Sequence, residues 1–216
     1  EKGILIKGGE ALETAHKLQA VIFDKTGTLT KGEPGVTDIV SFGGQGSQSQ
    51  VLKIAAIAEM GSEHPLGKAV VEKAKKEKVE IEEAENYQTE AGKGIKCLYQ
   101  GKSILAGNKI FLNENQIAVP SEIDEKSKKI EEEGKTVIFV SYEKEAIGFL
   151  ALADTLKDFS KEAVEKLHKM KKDVWLITGD NQRTARAIAE QLGIENIMAQ
   201  VLPQDKAKKV KELQEA

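Results

Sequence analysis

Cysteine is nearly absent from this 216-residue chain: Cys97 stands alone, so no internal disulfide can form and a reducing compartment fits best. With only three scattered histidines beside it, no thiolate-rich metal site can be assembled. An excess of charge is missing too. The net charge is −3, with acids and bases mixed throughout, which argues against a nucleic-acid partner. No apolar run approaches the roughly 20 residues that span a bilayer, and no signal peptide is seen, so the chain as given is expected to be soluble. A Walker phosphate loop is also lacking. Gly101-Lys102-Ser103 imitates its tail, but the upstream position that needs glycine holds Lys96.

What is present is an ordinary globular balance, 40% apolar and 31% charged, in a length that suits one large domain or two small ones. Residues 10–18 read as a short helix leading into a strand at 19–24, and GGQGSQSQ (43–50) as an exposed loop. Helices are expected near 50–59 and 65–77, and strands at 94–100, 103–107, 136–142 and 145–152. The short connector Glu143-Lys144 predicts an antiparallel hairpin between the last two, and a charged helix, SEIDEKSKKIEEE, precedes them. After Asp154 the pattern alternates: helix 160–170, strand 174–178, helix 182–193, strand 196–201, helix 204–214. Such alternation predicts a parallel sheet covered on both faces. Two halves of one α/β domain, 19–31 and 150–216, would then flank an inserted domain at 34–148, with 1–18 a connector.

Reactive groups of an open parallel sheet collect beyond the carboxyl ends of its strands. Two strands here end in an acid at that edge, VIFD at Asp24 and LITGD at Asp180. Around them Thr26, Gly27, Thr28, Thr178 and Gly179 are small groups that bring hydroxyls and backbone N–H close to an anion. Asn181 can start the following helix and add its positive end. Lys206, after Pro203, can reach in as a fixed positive charge. An ionised aspartate repels a bare phosphate, so this is a sensible phosphate site only with a Mg²⁺ ion, or with the aspartate as nucleophile. The plainer alternative makes both acids strand-end or cap residues serving turns.

DKTGTLTKG, with ITGDN and VLPQDK downstream, resembles the P-type ATPases, which are built on the haloacid-dehalogenase fold. The resemblance implies a Rossmannoid parallel-sheet domain carrying an inserted α+β domain on an antiparallel sheet. It implies that ATP phosphorylates Asp24, that Thr26 supplies a main-chain carbonyl to Mg²⁺, and that Thr178 and Gly179 hold phosphoryl oxygens. Asp180 would organise the site, and Lys206 would neutralise charge between Asp24 and the incoming phosphate. Soluble phosphatases of the same superfamily carry a second Asp two residues after the nucleophile. Thr26 stands there instead, and a threonine cannot protonate an alkoxide leaving group at neutral pH, which favours a pump over a phosphatase.

In the insert, Glu59, SEHPL, GKG at 92–94 and Gly107-Asn108 are similar to the nucleotide-binding domain of the heavy-metal branch. That likeness implies that Glu59 accepts a hydrogen bond from the adenine amino group, that His64 packs on the base, that Gly92 and Gly94 let the chain approach, and that Asn108 binds nearby. On local sequence alone His64 reads as a helix cap. Asp154-Thr155-Leu156-Lys157 resembles the family's hinge. GILIKGGEALE resembles the stretch entering this headpiece from a membrane helix, which implies the cytoplasmic face of a membrane, with transmembrane and actuator domains as partners and a monomeric isolated core. The family continues past VLPxxK to a strand ending GDGxND, whose first acid completes the Mg²⁺ site. Its absence here implies an excised core that binds nucleotide and phosphorylates weakly or not at all. DTLK, ITGDNQRTARAIAEQLGI and AQVLPQDKAKKVKELQ resemble copper pumps first, with zinc or cadmium exporters next.

Other residues read as structural. His16 and His168 are expected in solvent, Cys97 and Trp175 in strand cores, and EKAKKEKVEIEEAE (72–85) as a solvated face.

Overall fold

The computed structural model describes residues 8–42 and 47–215. Its chain runs α1 (Gly9–Lys17), β1 (Ala20–Asp24), β2 (Gly35–Ser41), α2 (Gln48–Glu59), α3 (Pro65–Lys76), β3 (Glu85–Glu90), β4 (Gly94–Tyr99) and β5 (Lys102–Gly107). It continues through α4 (Lys109–Glu114), α5 (Ser121–Glu132), β6 (Thr136–Tyr142), β7 (Glu145–Ala153), α6 (Ser160–Lys169), β8 (Asp173–Ile177), α7 (Gln182–Leu192), β9 (Asn196–Met198) and α8 (Lys206–Gln214). Two sheets result. One is parallel, in the order β1-β8-β9; the other is antiparallel, in the order β2-β7-β6-β5-β4-β3. The architecture is thus α/β, a parallel sheet joined to an antiparallel one.

The apolar strands explain the layering. In β6, Val137 and Phe139 face one core while Ile138 and Val140 face another, so the antiparallel sheet is covered on both sides. Helices α2 and α3 close one face through Val51, Leu52, Ile54 and Val70; α4 and α5 close the other through Phe111, Leu112 and Ile123. A separate core of Leu29, Val164, Val174, Leu176, Ile188 and Leu192 packs α6 and α7 on the parallel sheet.

Two strands and a helix went unread: β2, β3 and the six-residue α4. Both strands are sheet edges: every residue of β3 is exposed, and β2 has its apolar Val36, Ile39 and Val40 thrown out of alternation by a bulge between Val36 and Asp38. Strand β9 stops at Met198, not at 201, because Gln200 N and Val201 N turn back to bond Asp180 O (2.8 Å) and Thr178 O (3.0 Å). Residues 150–153 lie in β7 of the antiparallel sheet rather than with the parallel one. Of the expected 43–50 loop, 43–46 lie outside the described residues, and Gln48–Gln50 are the first turn of α2, capped by Ser47 Oγ on Gln50 N at 3.2 Å. Residues 1–7 of the expected connector also lie outside the described residues. His16 and His168 are exposed, Cys97 is buried and Trp175 is half-buried.

Candidate active site

Strand β1 pairs in parallel with β8, Asp24 opposite Ile177, so the residues after both strands emerge at one edge. There the Asp24 carboxylate accepts a hydrogen bond from Lys206 Nζ at 2.6 Å. Lys206 is the first residue of α8, delivered by a short 3₁₀ turn that begins at Pro203. Both partners are partly open to solvent, with 41% of the Asp24 side chain accessible. The carboxylate thus faces solvent and a cation, not its own turn.

After Asp24 the chain makes a wide turn, Lys25–Leu29, in which Gly27 takes φ 75°, the left-handed region that glycine enters at no steric cost. Thr30 Oγ1 staples this turn, donating to Lys25 O at 3.0 Å and accepting from Gly27 N at 3.3 Å. Thr26, Gly27 and Thr28 are left exposed at its rim. Lys157 Nζ donates to Gly27 O at 2.6 Å, placing a further positive charge beside the rim.

Behind Asp24 lies a buried ion pair, Lys25 with Asp180. Burial pushes the Asp180 carboxyl upward, but the charge and hydrogen bond of Lys25, with the Thr178 and Thr136 hydroxyls, outweigh it and hold the group below the usual carboxylate range. Thr178 Oγ1 donates to Asp180 Oδ2 at 2.8 Å and accepts from Asp180 N at 3.1 Å. Its one hydroxyl proton is therefore committed to Asp180. At Gly179 an added Cβ would meet only Val201 O, at 3.6 Å, so no protein atom demands a glycine there. That open space, beside an N–H with no acceptor among the described residues, suits an anion. Asn181 caps α7, its Oδ1 accepting from Arg183 N and Thr184 N at 3.0 Å each.

The antiparallel unit carries a second group of candidate residues. Glu59 ends α2 with 8% exposure, and burial raises its carboxyl to about 7 against the opposing pull of the Ser62 hydroxyl. A Cβ at Gly67 would overlap the Glu59 carboxylate, so the glycine makes room for it. His64 is the N-cap of α3, Nδ1 accepting from Leu66 N at 3.2 Å. Its imidazole is held below its ordinary pKa by desolvation, and the charges it senses are Asp180 and Lys25 of the parallel unit. Gly92 has φ 73°, and a Cβ there would overlap Leu202. At Gly94 the room of a Cβ is already taken by Ala106 O, Gly107 and Phe111, so strand packing itself requires a glycine. Asn108 caps α4 through Phe111 N (2.9 Å) and donates to Gly92 O (2.9 Å), so both ends of its amide are engaged.

Asp154 ties the crossings between the two sheets together. Its carboxylate accepts from Gly32 N at 3.1 and 3.2 Å and from Glu33 N at 3.3 Å, beside a bridge of Thr30 with Leu156. Sequence reasoning gives Lys25 and Thr30 no role, and places Lys157 in the hinge segment without its contact to Gly27 O. A lysine that follows a strand-end acid was the available signal for the first. The other two act by contacts that only the folded turn creates. Cys97 is buried and its thiol is pushed up to about 11, so it is inert.

The model of the haloacid dehalogenase-like hydrolase family matches residues 18–216. The chain belongs to this family. Within it, the chain is 45% identical to a copper-exporting P-type ATPase of Bacillus subtilis (strain 168), over 99% of this chain and 26% of that protein. Among solved structures it is similar to the catalytic domain of the CPx-ATPase CopB-B, with TM-score 0.74 and 26% identity over 99% of this chain and 73% of that one. It is similar also to a zinc-transporting PIB-type ATPase in its E2.Pi state, with TM-score 0.63 and 36% identity, over 99% of this chain and 34% of that one. The haloacid dehalogenase-like chain thus spans about a quarter of the length of the curated relatives it matches, 26–28%. Among the described residues no helix is long and apolar enough to cross a membrane.

Proposed function

We propose that this chain is the catalytic headpiece of an ATP-driven copper exporter and that Asp24 is its phosphoryl acceptor. The observation that carries the reading is the Asp24 carboxylate itself, at the sheet edge, 2.6 Å from the Lys206 ammonium. A threonine occupies the position where a phosphatase of the superfamily carries its proton donor. In the reaction, Asp24 Oδ forms a bond to the γ-phosphorus as the bond to the β,γ-bridging oxygen breaks, and ADP leaves with that electron pair. ADP is a good leaving group and needs no general acid. Lys206 offsets the repulsion between carboxylate and phosphate, and the Gly179 N–H meets a phosphoryl oxygen. Without an acid or base at position 26 to speed hydrolysis, the aspartyl phosphate persists long enough to drive a conformational change.

The Asp24 carboxylate and the Thr26 carbonyl are hard oxygen donors that suit Mg²⁺, and the described residues hold no cluster of three or more acids, histidines or cysteines. The resemblance implies a further ligand, the first acid of the GDGxND segment that follows VLPxxK in the family, with phosphate and water completing the shell. When bound, it would supply charge neutralisation to the transferring group.

The antiparallel unit is the nucleotide-binding part of this reading. Glu59 accepts from the adenine amino group, His64 stacks on the base, Gly92 gives the close approach, and Asp154 anchors the hinge that carries ATP to Asp24. Gly94 and Asn108 contribute by shaping the GKG turn rather than by free polar groups. The partners are then ATP and the transmembrane and actuator domains of the parent pump, and the site lies on the cytoplasmic face of a membrane. A second reading, zinc or cadmium export, is favoured by the 36% identity to a zinc-transporting structure. Metal-stimulated ATPase of the intact parent in vesicles decides. Stimulation by copper and silver is expected, and stimulation by zinc alone would replace copper with the second reading.

A further inference from the structure

A polar seam beside the phosphate site is not explained by phosphoryl transfer. On the antiparallel side, Glu131 of α5 is only 7% exposed, and its carboxylate accepts from Asn181 Nδ2 at 2.8 Å and Arg183 Nε at 2.7 Å. Thr136, the first residue of β6, donates to Asp180 Oδ1 at 2.9 Å. In the reverse direction Thr184 Oγ1 donates to Lys135 O at 2.8 Å. Gly134 brings the chain so near α7 that a Cβ would meet Ile188 Cδ1 at 3.0 Å.

The two oxygens of Asp180 are served from different units. Oδ2 is held from within, by Lys25 and Thr178, while Oδ1 has one partner among the described residues, Thr136, from across the seam. A buried carboxylate oxygen left without a donor is costly, so closing the seam and fixing Asp180 are coupled. The Glu131 contacts have the opposite character. Carboxylate, amide and guanidinium can all return to water when the units part, so they contribute orientation more than net stability. Directional polar contacts of this kind suit an interface that opens and closes.

We propose that Glu131 and Thr136 form a latch through which the antiparallel unit, on closing, completes the hydrogen-bond shell of Asp180. Thr136 is a positioning residue for Asp180, and Glu131 sets the docking register by binding Asn181 and Arg183 together. The importance of Asp180 to the chemistry rests on the proposed function; the latch itself does not.

The test has two arms. In the first, nitroxides on Lys76→Cys and Lys169→Cys, both exposed positions, report the distance between the units in this chain. Cys97, buried, does not compete for the label. The parent is expected to give one narrow distance, and Glu131→Ala with Thr136→Val a broadened distribution in which the closed fraction falls about tenfold relative to the open one. Glu131→Gln, which retains an acceptor, falls between them. Should the double variant not fold, Thr136→Val alone carries this arm. In the second arm, the intact pump carrying Thr136→Val loses kcat at unchanged KM for ATP, and Thr136→Ser restores it. Superimposable distance distributions, or Val and Ser variants that behave alike, would overturn the latch. A parent pump that forms no phosphoenzyme sinks the functional reading instead, and the distance arm then decides the latch alone.

Discussion

Glu59 makes the stability of the antiparallel unit fall as pH rises through the range in which most carboxylates no longer titrate. Its folded value is about 7 and its ordinary value 4.5, with burial the main cause. Between those two values the folded protein keeps the proton and the unfolded chain has released it. Folding therefore binds a proton, and the slope of stability against pH is negative in that window. The shift, converted at 1.36 kcal/mol per unit, corresponds to about 3 kcal/mol, fully present below pH 4.5 and lost above about pH 7. Glu59→Gln keeps the shape and removes the titration. Urea unfolding of both proteins from about pH 4.5 to about pH 8 isolates it as the difference between the two curves. The three tyrosines, Tyr87, Tyr99 and Tyr142, all lie in the antiparallel unit and report its transition, while the single tryptophan, Trp175, reports the parallel one. The tyrosine-detected difference is expected to move by about 3 kcal/mol in favour of Glu59→Gln as pH rises. If Glu59 accepts from adenine, nucleotide binding near neutral pH also expels its proton, and the calorimetric heat depends on the ionisation enthalpy of the buffer. A pH-independent difference between parent and Glu59→Gln would refute the argument.

Further outcomes follow from the same contacts. Asp180→Asn leaves Lys25 buried without its counter-charge, and the tryptophan-detected stability is expected to drop by about 3–5 kcal/mol. Asp24→Asn breaks only a half-exposed pair, so the stability measured by urea unfolding should fall by less than about 1 kcal/mol while any phosphorylation is lost. His64→Ala removes a helix cap and should cost about 1 kcal/mol in thermal or urea melts, whereas His64→Asn keeps an acceptor there. Both variants should bind ATP more weakly if the ring orients the base. Parental binding by His64→Asn would make His64 a cap and nothing more.

The paired acids could be read from the chain because each ends an apolar run, and parallel strands deliver such residues to a common edge. Asp24, Asp180 and Lys206 are thus legible in the sequence, though 182 positions separate Asp24 from Lys206. The hairpin of β6 and β7 was equally legible, since both strands are apolar and only two residues join them. Edges were not. In β3 no side chain is buried, so pairing with β4 by backbone hydrogen bonds leaves no trace in residue type. The seam was hidden for a different reason: Glu131 looks like any acid of a charged helix, and Thr136 like any strand-opening threonine. Only the docking of one unit on the other gives them partners. At Gly94 packing adds a requirement that residue type does not reveal: Phe111 and a neighbouring strand occupy the place of a Cβ.

The central claim, that Asp24 takes the phosphoryl group, is tested most directly by supplying γ-labelled ATP with Mg²⁺ to the intact parent pump and locating the label. The account predicts a phosphate on Asp24 that hydroxylamine removes, absent from Asp24→Asn and slow to form when Lys206 is replaced by methionine. Label on any other residue, or full labelling of Asp24→Asn, would contradict it.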